Sequence, residues 1–211
     1  MENNRVNELI NILRKTYPDA KCSLNFKTPF ELVVAVSLSA QCTDDRVNKT
    51  TPILFKTCKT IQDYADINLN ILEKLIHPCG FYKNKAKNIK NCANQIIENY
   101  NGIVPNNINA LMTLSGIGRK SANVIMLEAF GEAGGIAVDT HCKRIANRIG
   151  LSNEKEPSKI ELDLLKKIDP SDYKDVNHLF IWHGRYTCTA RNPLCDKCSI
   201  KHLCNQILKK I

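Results

Sequence analysis

Four cysteines near the end of the 211-residue chain have a spacing that suits the ligation of a metal centre. Cys188, Cys195, Cys198 and Cys204 follow the spacing C-x6-C-x2-C-x5-C within seventeen residues. Four thiolates this close can enclose one metal centre, and soft sulfur ligands select zinc or an iron-sulfur cluster. Zinc ribbons commonly offer two C-x2-C pairs, whereas this run has one pair flanked by longer, unequal gaps. The spacing favours a [4Fe-4S] cluster, with zinc as the alternative.

Residues 114–120, with the sequence LSGIGRK, form a second chemically suggestive stretch. They join two apolar helical patterns by a turn that holds Gly116 and Gly118, which is the pattern of a helix-hairpin-helix. Glycines can take positive φ and let another backbone come close, so the amides that begin the second helix can face an anion. The natural anion is a phosphate of nucleic acid, although short Gly-x-Gly turns are often plain connectors.

The distribution of charge also favours a polyanion. The net charge is +9, and +5 of it lies between His183 and the end of the chain. Such a basic block binds nucleic acid through counterion release, with a solvated surface as the alternative. Because Arg191, Lys197 and Lys201 lie in the loops of the cysteine cluster, we expect that cluster to present a cationic surface rather than to do redox chemistry. Four further lysines begin a long helix and are interpreted as a solvated face: Lys83, Lys85, Lys87 and Lys90.

Composition places the chain among folded proteins without a membrane segment. Hydrophobic residues make up 43% of it, no stretch reaches membrane-spanning length, and the polar start carries no signal core. We therefore expect a cytoplasmic protein. In that compartment ten cysteines are not expected to form a disulfide framework. Those outside the cluster are interpreted as small core or half-buried residues: Cys22, Cys42, Cys58, Cys79, Cys92 and Cys142.

The elements that position these residues are all predicted to be helices. Thr28 and Pro29 open a capping box before an apolar run, and Pro52 is expected to bend or split the helix after it. Asp139 stands where another helix should begin. Adjacent glycines within residues 132–135 mark a candidate hinge between two domains. No segment has the alternation of a strand, so the expected fold class is all-α.

Five stretches together resemble the endonuclease III family of helix-hairpin-helix DNA glycosylases and abasic-site lyases. They are LSAQ with TD in residues 38–44, the hairpin through Lys120, VDTH in residues 138–141, HGRYTC in residues 183–188, and the four-cysteine spacing. The resemblance covers essentially the whole chain. It implies a bifunctional base-excision-repair enzyme that removes oxidised pyrimidines from duplex DNA and cleaves the strand 3′ to the abasic site by β-elimination.

The same resemblance implies a two-domain fold with DNA in the cleft between the domains. A six-helix domain of residues 22–132 would contain the hairpin, and residues 1–21 with 133–211 would form a helical domain containing a C-terminal [4Fe-4S] loop. The implied partner is double-stranded DNA with damaged bases or abasic sites. The enzyme is expected to act as a monomer, away from membranes, and to be nucleoid-associated if bacterial.

By the family match, Lys120 falls on the nucleophile and Asp139 on the catalytic carboxylate. A neutral amine can attack C1′, expel the base and leave a Schiff base, which acidifies C2′ and permits β-elimination. Free lysine titrates near ~10.4, so the amine must lose a proton, helped by desolvation, by Arg119 and by the helix N-terminus. Asp139 is interpreted as the proton acceptor that stabilises the developing sugar cation. Without the family, Lys120 would be a surface or phosphate-contacting cation and Asp139 an N-cap.

The resemblance also implies which residues contact DNA. Flipping a nucleotide out of the stack leaves a gap, and Gln41 and Phe81 fall where the family fills it. Phe81 replaces an aliphatic residue of relatives, so a core aromatic is the equal alternative. Ser115 replaces a frequent proline and loosens the turn. The remaining expected DNA contacts are Gly116, Gly118, Arg119, Arg191 and Lys201.

Two other functions compete with this interpretation. A mismatch adenine glycosylase typically lacks the lysine and carries a further C-terminal domain, so Lys120 and the short tail speak against it. A non-catalytic DNA-binding or iron-sulfur scaffold would keep only the cleft. Retention of both Lys120 and Asp139 disfavours it.

Overall fold

A computed structural model of the chain shows two compact units built from helices. The hairpin unit is Ser23–Glu132, and the cluster unit combines Met1–Cys22 with Ala133–Ile211. The structure describes the backbone of residues 2–208 and the side chains of residues 4–206, and within those ranges it contains no strand. The expected all-α class is thereby confirmed. None of the helices in the described range combines the length and apolar character that crossing a bilayer requires.

The hairpin unit is described along its whole length and has its own core of aliphatic side chains centred on α2, which is buried on every side. It contains seven α-helices, whereas the family resemblance implied six, and two of the seven are short helices capped by Thr60 and Asn68. A 3₁₀ turn, His77–Cys79, precedes α6. The helices are α2 Pro29–Ser39, α3 Asp44–Thr57, α4 Ile61–Asp66, α5 Leu69–Ile76, α6 Tyr82–Tyr100, α7 Ile108–Met112 and α8 Arg119–Phe130.

Local signals set most helix ends in this unit. The Thr28 hydroxyl accepts from the Glu31 amide at 3.2 Å, while the Glu31 carboxylate reaches back to the Lys27 amide, one residue before the expected partner. Pro52 does not split α3, which runs unbroken from Asp44 to Thr57. A proline inside a helix leaves one carbonyl without its amide donor, and the packing of Val47 and Leu54 in the core holds the helix together across that point.

The cluster unit has a second, separate core. Its helices are α1 Glu2–Thr16, α9 Thr140–Ile149, α10 Pro157–Lys167, α11 Tyr173–Tyr186 and α12 Asn205–Leu208. Leu9, Ile145 and Phe180 represent the fully buried side chains through which α1, α9 and α11 pack. The loop after α11 carries two 3₁₀ turns, Cys195–Lys197 and Lys201–Leu203. The chain path thus brings its first helix and its last third into one core.

Candidate active site and metal centre

The hairpin turn connects α7 to α8 through six residues. Leu114 and Ile117 are buried in the core of the unit, which anchors the turn from inside. The Ser115 amide donates to the Gln95 side chain at 2.7 Å, so α6 holds the turn from a second direction. The two buried side chains and this hydrogen bond therefore hold the turn in place, in addition to the conformational freedom of its glycines.

The two glycines of the turn differ in what the fold demands of them. Gly116 has φ +81°, and a Cβ there would lie 3.0 Å from Asn88 side-chain atoms. Gly118 has φ −93° and ψ 175°, a conformation that residues with side chains adopt, and a Cβ there would meet no protein atom within 4 Å. Gly118 therefore does not use the positive φ that glycine permits. Its missing side chain instead leaves space open in front of the N-terminus of α8.

Lys120 is the second residue of α8 and is exposed to solvent. Gly118 is the N-cap of this helix and supplies no side-chain hydrogen bond, so the first amides of α8 have no capping side chain. The positive end of the helix dipole and the Lys120 amine therefore lie together at the surface. Burial by the protein does not supply the desolvation that the sequence interpretation assigned to this amine, since the side chain is exposed. A bound substrate would have to exclude the water.

Asp139 is the N-cap of α9, as its position in the sequence suggests. Its Oδ1 accepts from the Cys142 amide at 2.7 Å, and the residue is half-buried after the buried run 136–138. This bond fixes the carboxylate at the start of the helix. Because a carboxylate has two oxygens, capping and proton acceptance do not require the same atom.

The first turn of α9 is anchored to α11 by close backbone contact. Arg144 donates from Nη2 to the Gly184 carbonyl at 2.8 Å and from Nε to the Cys188 carbonyl at 3.1 Å. A Cβ on Gly184 would lie 2.8 Å from Nδ1 of His141, so only glycine allows this approach. Burial lowers the pKa of His141, Asp139 opposes that effect, and Arg144 reinforces it. A neutral imidazole thus packs beside the Asp139 cap.

The four cysteines of the C-terminal loop line one pocket together with Ile149 and His183. Their thiols are free, and in the described part of the chain no three His, Cys, Asp or Glu side chains converge on a position for a single metal ion. The 3₁₀ turns place Cys195, Cys198 and Cys204 at their ends, and Cys188 follows α11. Four soft thiolate donors that line one pocket are the ligand set of an iron-sulfur cluster.

Three side chains to which the sequence analysis assigned no role lie around the four cysteines. Arg148 donates to the Cys188 Sγ at 3.2 Å and to the carbonyls of the loop after it. Nε2 of His183 lies 3.8 Å from the Cys198 Sγ, and its Nδ1 lies 3.1 Å from the Tyr17 hydroxyl. Burial lowers the pKa of His183 to about 4. No local spacing signals these contacts, because they join α1, α9 and α11 to the loop.

Gln41 and Phe81 both line one surface depression in the hairpin unit. Both have left-handed backbones, with φ of 53° and 47°, although neither is glycine. Phe81 is 66% exposed, which excludes the alternative that it is a core aromatic. Non-glycine residues rarely keep positive φ unless their surroundings hold it, and such residues concentrate at functional sites.

The other cations expected to contact DNA lie at the surface of the cluster unit. Arg191 is exposed in the loop between Cys188 and Cys195. Lys201 is also exposed, but its Nζ pairs with the Asp196 carboxylate at 3.0 Å. Lys201 would therefore exchange a carboxylate partner for a phosphate. Exposed pairs of this kind cost little to open.

The four lysines at the start of α6 do not form one solvated face. Lys83 and Lys87 are exposed as expected, but Lys85 is only 7% exposed and Lys90 is half-buried. Lys90 donates to the carbonyls of Ala65 and Ile67. Lysine stems can follow apolar surface while the ammonium finds carbonyls, so residue type did not reveal which side chains turn inward.

Within the described residues, the glycine-turned hairpin with its exposed lysine and the pocket lined by four cysteines lie in a chain that known protein families match over most of its length. A protein-family model described as "HhH-GPD superfamily base excision DNA repair protein" matches residues 34–170. A second, described as "Iron-sulfur binding domain of endonuclease III", matches residues 188–204. The second match sets the zinc alternative aside, and the cofactor is a [4Fe-4S] cluster.

Individual relatives agree with the family models. The chain is 46% identical over 200 residues to endonuclease III of Synechocystis sp., covering 95% of this chain and 91% of the relative. It is 42% identical over 198 residues to endonuclease III of Escherichia coli K12, covering 93% of each. The chain belongs to the endonuclease III family. It is accordingly a DNA glycosylase and abasic-site lyase of base-excision repair.

Solved structures agree with the family assignment. A non-covalent endonuclease III–DNA complex aligns with a TM-score of 0.91 at 41% identity, over 99% of this chain and 97% of that chain. A trapped covalent endonuclease III–DNA intermediate in an estranged-adenine complex aligns with a TM-score of 0.92 at 41% identity, over 99% and 98%. A thermostable thymine-DNA glycosylase, at 22% identity and a TM-score of 0.87, shares the fold.

Proposed function

We propose that this enzyme removes oxidised pyrimidines from duplex DNA and cleaves the strand at the resulting abasic site, with Lys120 as the nucleophile. The observation that carries the proposal is the exposed Lys120 amine in the first turn of α8, directly behind the open space at Gly118. The structures of endonuclease III relatives in complex with DNA, one of them a trapped covalent intermediate, support a nucleic-acid substrate and a covalent mechanism. The protein acts on its substrate as a monomer.

The first chemical step is displacement of the damaged base. The neutral amine of Lys120 forms a bond to C1′, the glycosidic bond breaks, and the base leaves with its electron pair. The carboxylate of Asp139 stabilises the positive charge that develops on the sugar. Since the Asp139 Oδ1 is fixed by the Cys142 amide, the carboxylate needs little reorganisation during this step.

The second step uses the Schiff base that then forms at C1′. The nitrogen bonded to C1′ loses a proton, its lone pair forms a C=N bond as the C1′–O4′ bond breaks, and O4′ takes up a proton. The resulting iminium acidifies C2′, and Asp139 accepts the C2′ proton. The electron pair moves to form a C2′–C3′ double bond, and the C3′–O bond breaks to release the 3′ phosphate. A hydroxyl or carboxylate in place of Lys120 could not form this imine, which is why the lyase reaction requires an amine.

DNA is held by three groups of residues under this proposal. The amides before α8, opened by Gly116 and Gly118, bind a phosphate at the positive helix end, and Arg119 adds charge. Gln41 and Phe81 fill the gap left by the flipped nucleotide, where the Phe81 ring can stack on a base. Backbone contacts from the cluster unit come from Arg191 and Lys201.

When bound, the [4Fe-4S] cluster would fix the shape of the loop that carries these cations. We propose that its ligands are Cys188, Cys195, Cys198 and Cys204, which line the same pocket. Arg148 neutralises charge at the Cys188 sulfur and ties the loop to α9. The chemistry on DNA is assigned to side chains of the protein and does not pass through the cluster.

A strand-cleavage panel tests the proposed substrate class. The four duplexes contain thymine glycol, an abasic site, an A·G mismatch or no lesion. We expect cleavage of the first two and none of the others. Cleavage confined to the mismatch would overturn the proposal in favour of an adenine glycosylase, and cleavage of none would favour a scaffold role.

The two glycines of the hairpin allow its folding role to be separated from its binding role. Gly116→Ala should lower the free energy of unfolding by about 1–3 kcal/mol, because the new Cβ meets Asn88 and the φ is left-handed. Gly118→Ala should leave stability within roughly 0.5 kcal/mol of wild type, since its Cβ meets nothing. It should instead weaken binding to abasic DNA, because the methyl group occupies space that the phosphate needs.

Urea unfolding and fluorescence anisotropy with a labelled duplex measure the two effects. Each glycine variant serves as the control for the other. Equal losses of stability in both variants would contradict the distinction drawn from their backbone angles. Unchanged DNA affinity in Gly118→Ala would contradict the phosphate-binding role of the hairpin.

A further inference from the structure

Lys85 occupies a position that ordinarily disfavours a lysine. It is the fourth residue of α6 and is only 7% exposed. A cation in the first turn opposes the helix dipole, and burying an ammonium group without partners is costly. Lys83 and Lys87 on the same helix are exposed and avoid that cost. Specific contacts must therefore compensate for the burial of Lys85.

Those contacts are carbonyls from the last turn of α2 and from the 3₁₀ turn before α6. The Nζ of Lys85 donates to the Leu38 carbonyl at 2.9 Å and to the Cys79 carbonyl at 2.9 Å. Its backbone amide donates to the Phe81 carbonyl at 3.1 Å. Leu38 lies three residues before Gln41, and Cys79 lies two residues before Phe81. One buried residue thus ties together the segments that carry both proposed gap-filling side chains.

The backbone at both loop tips needs such support. Gln41 and Phe81 hold positive φ although each has a Cβ, a state that persists only where surrounding contacts determine it. Burial lowers the pKa of Lys85. Both acceptors are carbonyls, so the amine can donate to both of them in either protonation state. Lys85 therefore joins the two segments through hydrogen bonds and not through an ion pair.

We infer that Lys85 is a positioning residue that holds the Gln41 and Phe81 loops in the arrangement that fills the gap behind a flipped nucleotide. The inference rests on the gap-filling role proposed above for those two residues. Lys85 does not touch the substrate. Its contribution is to the preference for lesion DNA, since undamaged duplex offers no gap for the two side chains to enter.

Binding to two duplexes separates this role from a general effect on folding. One duplex contains the uncleavable abasic analogue tetrahydrofuran, and the other is undamaged. In Lys85→Met the affinity for the tetrahydrofuran duplex divided by the affinity for the undamaged duplex should fall roughly tenfold. The reason is that two buried carbonyls lose their donor and the loops relax. Lys87→Met removes the same charge from an exposed position of α6 and should keep the wild-type ratio. Anisotropy titrations at one salt concentration give both affinities.

The ratio is insensitive to partial misfolding, because an inactive fraction scales both apparent affinities alike. If Lys85→Met does not fold, Lys85→Gln, which keeps an amide donor group, should show a smaller fall in the same ratio. A wild-type ratio in a folded Lys85 variant would contradict the inference alone. Wild-type protein without preference for the analogue would contradict the gap-filling proposal as well.

Discussion

Lys120→Ala is expected to abolish covalent trapping on abasic DNA by borohydride and to reduce strand cleavage by on the order of 10⁴-fold or more. Trapping requires an imine between an amine and C1′, and alanine offers no nucleophile. Lys120 is exposed and lies outside the buried core, so its removal should leave the fold intact. Gel analysis after borohydride treatment measures trapping, and single-turnover cleavage of the abasic duplex measures the rate.

Two further variants make the Lys120 experiment specific. Lys120→Arg keeps a positive charge at the start of α8, but a guanidinium is not deprotonated in proteins and should not be trapped. Lys159→Ala removes an exposed lysine from the first turn of α10 and should retain trapping and cleavage. Persistent trapping by Lys120→Ala would place the nucleophile elsewhere.

Asp139→Asn should reduce cleavage by about 10²–10⁴-fold while leaving stability nearly unchanged. Asparagine is as good an N-cap as aspartate, so the bond from the Cys142 amide can be kept. It cannot accept a proton or stabilise a developing cation as a carboxylate does. Asp139→Ala should lose the same activity and, in addition, about 1 kcal/mol of stability from the missing cap. Thermal unfolding and single-turnover cleavage separate the two losses.

A matched cap elsewhere shows whether the activity loss belongs to the carboxylate. Thr60 caps α4 through its hydroxyl, in a helix to which no chemistry is assigned. Thr60→Ala should lower stability by a similar amount, about 1 kcal/mol, and leave cleavage at the wild-type rate. Full activity in Asp139→Asn would reduce Asp139 to a capping residue.

Helix ends were largely readable from the sequence because their determinants are local. Thr28 and Asp139 cap helices as their positions suggested, and Gly131 and Gly150 end helices with left-handed backbones. Each involves hydrogen bonds over a few residues of chain. The presence of a [4Fe-4S] cofactor was also readable, since the spacing of four thiols constrains what they can bind. The roles of Lys120 and Asp139 followed from motif resemblance and stay predictions.

The limits of sequence reasoning appear where burial or long-range contact decides. Residue type placed Lys85 on a solvated face, whereas acceptors at Leu38 and Cys79 turn it inward. Residue type also did not decide whether Phe81 belongs to the core or to the surface. The structure places it at the surface, where it is 66% exposed. Gly118 looked like a turn glycine, yet its backbone needs no glycine. The environment of Lys85 is set by acceptors in other segments of the chain. At Phe81 and Gly118 it is set by the open space around them.

The hairpin likewise has some properties that follow from neighbouring residues and others that depend on tertiary packing. Two apolar helices that meet at a glycine turn ending in Lys120 could be predicted from the amino-acid sequence, because periodicity and turn residues are properties of neighbouring positions. The left-handed backbone of Gly116 against Asn88 and the exposure of Lys120 are visible only in the folded chain. The same holds for the buried lysine that joins the Gln41 and Phe81 loops. Those properties depend on packing between segments far apart in the chain, which no local pattern records.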